Sequence, residues 1–403
     1  MFYGWWIVIA TFVIGVFVGG STVYGFTAFF EPLINEFGWS YTQVSFVGSL
    51  RGVEMGIFSP LVGFLADRFD PRKIVVSGTV LTGLGLLLLS TSQSLSTFYG
   101  IYVLVAIGSA GCTSVVLLTA VANWFRKNAG KALGIATCGI GASGFVIPFI
   151  VWLIDTYQWR TTFAILGLGI WIVGIPLSFV IRGRPEKYGL FPDGKKTPMN
   201  SKRITRGGDC EIGMSFKKAI ETRTFWYLNI VEALRMMVLM AVVTHVMPYL
   251  SSVGISRTSA GFVAGGIPVL SILGRLGFGW ASDLYDKKLV LTFAFCLMGL
   301  GVLSFANAHM VWPIIAFAVL FPVGYGGGIA VRAVILREYF GRAIFGKTLG
   351  IVMGSAAIGG IVGPLLAGWS FDTLATYRAI WFVFCGVLFV GAVLAFKIKP
   401  SFA

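Results

Sequence analysis

Six ionisable side chains fall inside apolar stretches that are long enough to cross a lipid bilayer. They form two close pairs and two single arginines: Arg51 with Glu54, Glu232 with Arg235, Arg275, and Arg332. A charge in the hydrocarbon interior is costly unless it is paired, hydrated or bound to an ion. These residues are therefore the first candidates for ligand binding or proton transfer.

The members of each pair are spaced three residues apart, which places both side chains on one face of a helix. Each pair therefore either neutralises itself or connects neighbouring helices. Glu54 and Glu232 become candidate proton carriers if their arginines are engaged elsewhere.

Arg275 has no acidic residue in its own stretch and lies eight residues, about 12 Å of helix, before the loop residue Asp283. Its planar guanidinium group suits two-point binding of a carboxylate. We therefore expect a substrate carboxylate here; the alternative is an ion pair with Glu54 or Glu232 across a helix interface. Arg332 lies near the end of its stretch, where it is expected to reach the aqueous surface or to join the charged loops.

Three further side chains are candidates by type and position. His245 precedes Pro248 by three residues, and because histidine titrates near neutrality it could carry a proton; alternatively it bonds to helix carbonyls that the proline leaves free. Tyr325, in a glycine-rich segment, could donate to a substrate or simply pack between helices. Phe29 could form part of an apolar wall beside the substrate.

Composition indicates that membrane helices hold these residues. The chain of 403 residues is 57% hydrophobic and only 12% charged, against about 25% in soluble domains. A crossing needs about 20 mostly apolar residues. We predict an all-α integral membrane protein with twelve transmembrane helices, near 5–30, 42–66, 74–91, 97–122, 132–155, 161–181, 224–250, 259–281, 289–306, 311–335, 348–371 and 379–396.

The placement of basic residues predicts the orientation. With both termini cytoplasmic, the inner segments hold 24 of the 31 Lys and Arg residues and the outer segments hold three, Arg160, Arg257 and Arg378, as the positive-inside rule requires. We expect a multi-pass protein of the plasma membrane, in bacteria the inner membrane. The net charge of +15 then reflects topology and lipid contact, not a nucleic-acid partner.

An internal repeat divides the chain. Shifting the sequence by 216 residues superimposes several landmarks of the first half on the second: Pro32 on Pro248, Gly38 on Gly254, Ser40 on Ser256, Asp67 on Asp283, Asp70 on Asp286, and Gly144 on Gly360. The predicted organisation is two pseudo-symmetric six-helix halves, 1–181 and 223–403, joined by a cytoplasmic loop, 182–222. Parallel repeats of this kind are typical of secondary transporters that bind substrate between the halves.

Two nucleotide-binding motifs are present and are set aside. Gly139 to Gly144 matches G-x-G-x-x-G and Gly341 to Thr348 matches G-x-x-x-x-G-K-[ST], but both need a preceding strand in a soluble α/β unit. Small residues at Gly139, Gly141 and Gly144 are expected to let helices approach closely. With five cysteines and two histidines, no metal site, disulfide framework or other cofactor is expected, and no nucleotide partner.

The loop after the second predicted helix reads Gly-Phe-Leu-Ala-Asp67-Arg68-Phe-Asp-Pro-Arg72-Lys. A partial copy, Gly279-Trp-Ala-Ser-Asp283-Leu-Tyr-Asp-Lys287-Lys288, follows the eighth. Both resemble the loop signature of the major facilitator superfamily. The resemblance implies a cytoplasmic latch in which Asp67, Arg68, Arg72 and Asp283 pair with neighbouring helix ends and release them when the halves rock. Alternatively these charges only set the topology.

Three segments resemble the monocarboxylate transporters and the related oxalate/formate antiporters: Tyr3-Gly-Trp-Trp6, Asn123-Trp-Phe-Arg-Lys127 before Gly130-Lys131, and Gly274-Arg275-Leu-Gly-Phe-Gly-Trp-Ala-Ser-Asp283. The resemblance covers essentially the whole chain. It implies that Arg275 binds the substrate carboxylate.

The chain also departs from this pattern. The animal-type transporters place an Asp one turn before the arginine and a Lys in the first helix for proton coupling, where this chain has Ser271 and Tyr24, both of which we keep as candidate substrate contacts. The oxalate exchangers carry a second cation in the eleventh helix, and the segment 354–357 has none.

The expected function is alternating-access transport of a small monocarboxylate such as lactate or pyruvate, moved with a proton. Exchange of two carboxylates is the alternative within the class. A membrane-embedded enzyme would need a catalytic dyad or metal ligands within the helices, and a sensor would need a sizeable cytoplasmic domain; the sequence favours neither.

Overall fold

The computed structural model describes residues 2–58, 61–62, 65, 69–112, 114–125, 128–194, 216–340 and 344–399. Within these ranges every regular element is helical. We number the long helices α1 to α12. For description, the N-terminal half is the part up to residue 194, the C-terminal half starts at residue 216, and the terminal end of the bundle is the one that holds both chain termini.

The N-terminal half contains six helices. Several of them include π or 3-10 turns, so their bounds are given as continuous helical runs: α1 Tyr3–Phe37, α2 Tyr41–Val53 continuing as Glu54–Phe58, α3 Pro71–Leu89, α4 Leu95–Gly111 with Ser114–Trp124, α5 129–157 and α6 159–180. Short 3-10 turns, Pro185–Tyr188 and Pro192–Gly194, follow α6.

The C-terminal half begins with a short helix, Phe216–Glu221. Six long and more regular helices follow it: α7 Arg223–Ser252, α8 Arg257–Leu284, α9 Lys287–Phe305, α10 Val311–Phe340, α11 Phe345–Leu374 and α12 Arg378–Phe396.

Ten helical runs in the described ranges are long and apolar enough to cross a membrane. One of them, Lys131–Val180, has 50 residues, far more than the ~20 that one crossing needs. Its chain reverses at Gln158, which has a φ of +66°, so the run holds two crossings, α5 and α6. The second predicted crossing is traced as α2 and through the helical residues 61–62 and 65. The predicted all-α membrane architecture is confirmed.

Residues 216 apart play the same structural role in both halves. Gly38 and Gly254 each end a helix with positive φ, +66° and +85°. Asp70 and Asp286 each cap the next helix through Oδ1, which accepts from a backbone N–H at 3.1 Å. Ser40 likewise caps α2, as Ser256 caps α8. Such caps satisfy backbone donors that a helix start leaves free, and their recurrence confirms the repeat.

The helix packing repeats as well. In the N-terminal half α1 packs on α5, α3 on α4, and α3 on α6; in the C-terminal half the equivalent pairs are α7 on α11, α9 on α10, and α9 on α12. The two halves meet through α2 against α11 and through α5 against α8. The repeat relates these two interfaces, because α2 corresponds to α8 and α5 corresponds to α11. The boundaries at residues 181 and 223 remain a prediction.

The α5–α8 interface depends on glycine. A Cβ added to Gly144 would lie 2.0 Å from the Gly265 carbonyl oxygen, and a Cβ on Gly265 would lie 2.5 Å from the Gly144 carbonyl oxygen. The two backbones therefore touch, as small residues allow in membrane helices. Gly139 and Gly141 meet Phe12 and Ile272 at similarly short range, which confirms the packing interpretation of this glycine-rich segment.

Replacing Gly144 by Ala is expected to destabilise the protein, because the added methyl group must push α8 away from α5. Overpacking of this kind costs about 1–3 kcal/mol. The measurement is the thermal unfolding midpoint of the purified protein in detergent. Gly266→Ala, where an added Cβ meets nothing within 4 Å, is the control and should unfold like the parent. Equal unfolding midpoints for the two variants would contradict a direct backbone contact at Gly144.

Candidate functional site

Two π-helical turns interrupt α1 and α2 near the centre of the bundle, at Gly19–Tyr24 and Glu54–Phe58. Such turns leave carbonyl groups without helical partners and often occur at functional sites. Here Arg51 Nη2 donates to the Thr22 carbonyl oxygen, and Tyr102 donates to the same oxygen at 3.3 Å. The irregular turns thus provide backbone acceptors for a buried guanidinium group.

Arg51 and Glu54 form a buried ion pair, with Nη1 and Oε2 2.8 Å apart. Together with the Thr22 contact, this gives the arginine a carboxylate and a backbone acceptor within the N-terminal half. The expectation that this pair neutralises itself is confirmed.

Glu232 lies between two arginines. Arg235 Nε donates to Glu232 Oε2 at 3.0 Å, Arg235 Nη2 donates to Oε1, and Arg332 Nη1 also contacts Oε1. The expectation that Arg332 reaches the aqueous surface or the loops is wrong, because its side chain is 14% exposed and pairs with Glu232 on α7. The cluster bridges α7 and α10 and carries a net charge of one positive unit.

Of the four arginines inside the apolar stretches, Arg275 is the one for which the described residues provide no carboxylate partner. Its Nη1 donates to the Thr137 carbonyl oxygen of α5 at 3.4 Å, across the interface between the halves. Its Nε is buried without an acceptor. The alternative ion pairs with Glu54 or Glu232 are not formed, since both carboxylates face other arginines. Arg275 therefore presents a cation that an anionic ligand would neutralise.

A cavity of about 60 Å³ lies beside Thr137, the residue that Arg275 contacts. Residues of α1, α4 and α5 line it, almost all of them apolar: Thr11, Gly15, Val18, Gly19, Val23, Cys112, Leu117, Leu118, Ala136, Thr137 and Ile140. Thr137 belongs both to the cavity wall and to the Arg275 contact. The Thr11 hydroxyl is buried without a hydrogen-bond partner. The N-terminal half thus provides an apolar pocket, and the C-terminal half provides a cation that contacts one residue of the pocket wall.

Tyr24 and Tyr325 meet at the centre of the bundle, where their hydroxyl oxygens are 3.0 Å apart and buried. The contact joins α1 to α10. The Arg235 guanidinium carbon lies 5.8 Å from the centroid of the Tyr325 ring, which is within cation–π range. Two of the predicted substrate contacts are therefore in one polar cluster with Arg235.

The side chains of Ser271 and Phe29 make other contacts in this conformation. The Ser271 hydroxyl donates to the Pro268 carbonyl oxygen of its own helix at 2.7 Å. Phe29 is fully buried and stacks on Phe163 with ring centroids 3.9 Å apart. Phe29 therefore belongs to the core of the N-terminal half, and the apolar wall beside Arg275 consists of other residues.

His245 is fully buried, and both ring nitrogens have partners. Nδ1 and the Tyr377 hydroxyl are 3.0 Å apart, while Nε2 lies 3.0 Å from both Ser45 Oγ and the Pro364 carbonyl oxygen. Ser45 donates its own proton to the Tyr41 carbonyl, so Nε2 carries the imidazole proton in the neutral ring and the tyrosine hydroxyl donates to Nδ1. Burial raises the pKa of the Tyr377 phenol well above its usual value, which keeps it protonated as this donor.

The halves are joined near His245, at the end of the bundle opposite the termini. The Asp372 carboxylate of α11 accepts from the backbone N–H groups of Tyr41 and Thr42 at the start of α2, at 2.9 and 2.8 Å. A carboxylate at a helix N-terminus is favourable because the helix dipole and free N–H groups face it.

Arg257 of α8 adds a second bridge at this end. It pairs with Asp155 at 2.8 Å and with Glu31 at 3.3 Å. Both carboxylates belong to the N-terminal half, so these contacts close the bundle at the end opposite the termini.

Only two of the four predicted latch residues, Arg72 and Asp283, are among the described residues. Asp67 and Arg68 lie outside the described residues. The Arg72 guanidinium lies 4.5 Å from the Phe179 ring centroid within the N-terminal half, and Asp283 is exposed at the end of α8. The pairing of these residues between the halves stays a prediction.

Sequence reasoning missed several residues of this site. The cavity depends on Gly15 and Gly19, whose spacing of four on α1 was the available signal. Ser45, Tyr377 and Asp372 gave no signal, because their contacts are with residues more than 100 positions away. Within the described ranges, no cluster of three His, Cys, Asp or Glu residues could hold a metal ion.

Comparisons with known proteins agree with this architecture. Monocarboxylate transporter 12 of Mus musculus is 26% identical over 410 residues, which cover 95% of this chain and 82% of that protein. An MFS-type transporter of Bacillus subtilis (strain 168) is 25% identical, covering 98% and 95%.

Among solved structures, the chain is similar to a bacterial homologue of the human lysosomal transporter Spinster in an inward-facing and occupied conformation. The TM-score is 0.77 at 15% sequence identity, and the match covers 98% of this chain and 97% of that chain. The sequence model described as Major Facilitator Superfamily matches residues 7–276 and 225–402. The chain belongs to the Major Facilitator Superfamily of membrane transporters.

Proposed function

We propose that this transporter carries a small monocarboxylate, such as lactate or pyruvate, together with a proton, by alternating access between its two halves. The observation that carries the proposal is Arg275, a guanidinium group inside the membrane without a carboxylate partner in the described ranges. It contacts Thr137, which also lines an apolar cavity. A bound carboxylate would neutralise Arg275 through its planar fork of donors.

The size and polarity of the cavity support a small acid. A volume of about 60 Å³ corresponds to about four to six water-sized groups, at about 10–15 Å³ for each. An apolar lining suits the carbon chain of such an acid and offers few partners to the many hydroxyls of a sugar or the amides of a peptide. Curated relatives named monocarboxylate transporters support the same substrate class.

The geometry favours His245 as the residue that takes up the proton. Protonating Glu232 would leave Arg235 and Arg332 facing a neutral group, and protonating Glu54 would do the same to Arg51. Protonating His245 Nδ1 leaves every arginine its carboxylate and requires the Tyr377 hydroxyl to turn from donor to acceptor. Since His245 joins the halves, its protonation state would be coupled to their separation.

The charge distribution supports an orientation with both termini in the cytoplasm, in the plasma membrane or the bacterial inner membrane. In that orientation the closed end with Asp372 and Arg257 faces outward. Alternating access then requires these contacts to break while the terminal end closes.

Arg275→Lys is expected to lower lactate uptake at least tenfold, because an ammonium group keeps the charge but cannot make two parallel hydrogen bonds to one carboxylate. Loss of one charge-assisted bond corresponds to about 1.5–3 kcal/mol. The measurement is uptake of labelled lactate into liposomes that contain the purified protein. Arg378→Lys, at an exposed position outside the site, is the matched control. Parental uptake by Arg275→Lys would refute the carboxylate clamp.

Ala136→Leu is expected to change the size preference, because the larger side chain fills the cavity beside Arg275. Uptake of lactate should fall severalfold more than uptake of formate, which needs no apolar pocket. The ratio of the two initial rates is the measurement, and formate uptake by the same variant controls for folding. An unchanged ratio would mean that the carbon chain binds elsewhere.

His245→Gln is expected to abolish the stimulation of lactate uptake by an inward proton gradient, since the amide cannot be protonated. Exchange of internal for external lactate, which needs no net proton movement, should persist. His309→Gln, at an exposed loop position, is the matched control. If His245→Gln keeps the full gradient dependence, the proton travels by another residue. If the parent requires internal substrate and ignores the gradient, carboxylate exchange is the function.

A further inference from the structure

The polar cluster around Arg235 is not used by the carboxylate site at Arg275. Arg235 lies 12 residues into α7, about 18 Å along the helix from the terminal end, while Arg275 lies nine residues, about 14 Å, from the terminal end of α8. Arg235 is therefore the deeper of the two cations, on the side of the closed end. An anion that moves past Arg275 toward that end would come to it.

Arg235 has one terminal nitrogen to spare. Nε and Nη2 donate to Glu232, whereas Nη1, which carries two N–H groups, is buried without an acceptor. Only 1% of the residue is exposed, so bulk water does not serve as the partner. An unsatisfied charged donor at this depth is costly and is a natural binding point for an oxygen ligand.

The tyrosine pair next to Arg235 also has a proton to spare. When two hydroxyls bond to each other, one donates and the other keeps its own O–H for a further acceptor. Tyr24 and Tyr325 are paired in this way, and the Tyr325 ring lies beside the Arg235 guanidinium group. Gly328 gives this arrangement room, because a Cβ there would lie 3.0 Å from Arg235 Cδ. Donors from both halves therefore lie near the Arg235 guanidinium group.

The local charge points to an anion as the ligand. Glu232 is shared by Arg235 and Arg332, so the cluster keeps one positive charge that no described carboxylate neutralises. A carboxylate would supply both the missing charge and the missing acceptor oxygens.

We propose that Arg235 Nη1 and the hydroxyls of Tyr24 and Tyr325 form a second carboxylate-binding subsite, which takes the anion from Arg275 on its way toward the closed end. The inference rests on the proposed function, since it assigns the second station of the same substrate. Occupation of the subsite separates the two tyrosine hydroxyls and so loosens a contact between the halves at the moment when they must move apart.

The test compares binding with transport in variants of the full-length protein. Lactate binding is measured by calorimetry in detergent, and uptake of labelled lactate is measured in liposomes. Arg235→Gln should bind lactate within about threefold of the parent, because Arg275 is intact, and should lose at least about tenfold in uptake, corresponding to one charge-assisted hydrogen bond. Tyr325→Phe should likewise keep lactate binding and lose uptake. Tyr249→Phe, which removes the hydrogen bond of another buried hydroxyl, is the control and should transport like the parent.

Arg235→Lys covers the case in which the Gln variant fails to fold. Its ammonium group can still neutralise Glu232, but that contact leaves no fork of donors for a carboxylate, so uptake should again fall while binding persists. Parental uptake by Arg235→Lys or a folded Arg235→Gln would overturn the subsite, as would an equal loss of binding and uptake. Arg275→Gln separates the two proposals: if it binds lactate like the parent, the proposed function fails, whatever the Arg235 variants do.

Discussion

The low dielectric of the membrane interior constrains every charged group in this protein, because a buried guanidinium group must meet a carboxylate, a carbonyl oxygen or a ligand. Away from the ends of the membrane helices lie four arginines and two glutamates. Glu54 forms an ion pair with Arg51, and Glu232 forms ion pairs with both Arg235 and Arg332. Arg275 is left with a backbone carbonyl at 3.4 Å, and the proposed substrate site follows from this imbalance of charge.

The same constraint explains why the site lies between the halves. Arg275 comes from α8 of the C-terminal half, whereas Thr137 and the cavity belong to the N-terminal half. A ligand that binds both parts contacts two bodies that can move against each other. The contacts at the closed end are of a kind that can be exchanged for water, namely a carboxylate on a helix N-terminus and an arginine with two carboxylates. His245 is the exception, because it is fully buried. When the halves separate here, both of its ring nitrogens need new hydrogen-bond partners.

Much of the fold could be predicted from the sequence because membrane helices must satisfy their own backbone, so apolar length and charge placement suffice to find them. The offset of 216 residues correctly paired Gly38 with Gly254 and Asp70 with Asp286, whose roles are local to a helix end. The i,i+3 spacing correctly paired Arg51 with Glu54. The contact of Arg332 with Glu232 was not predictable in this way, since the two residues lie 100 positions apart.

The sequence by itself determined the all-α membrane architecture, the repeat and the identity of Arg275 as a cation without a local acid. These features depend on hydropathy, helix caps and spacing within one helix. The tertiary structure decided that Tyr24 meets Tyr325, that Phe29 stacks in the core, and that a cavity opens beside Thr137. Those contacts depend on the rotation and separation of neighbouring helices, which are set by close packing at residues such as Gly144 and Gly265. The spacing of hydrophobic residues along one helix does not predict either quantity.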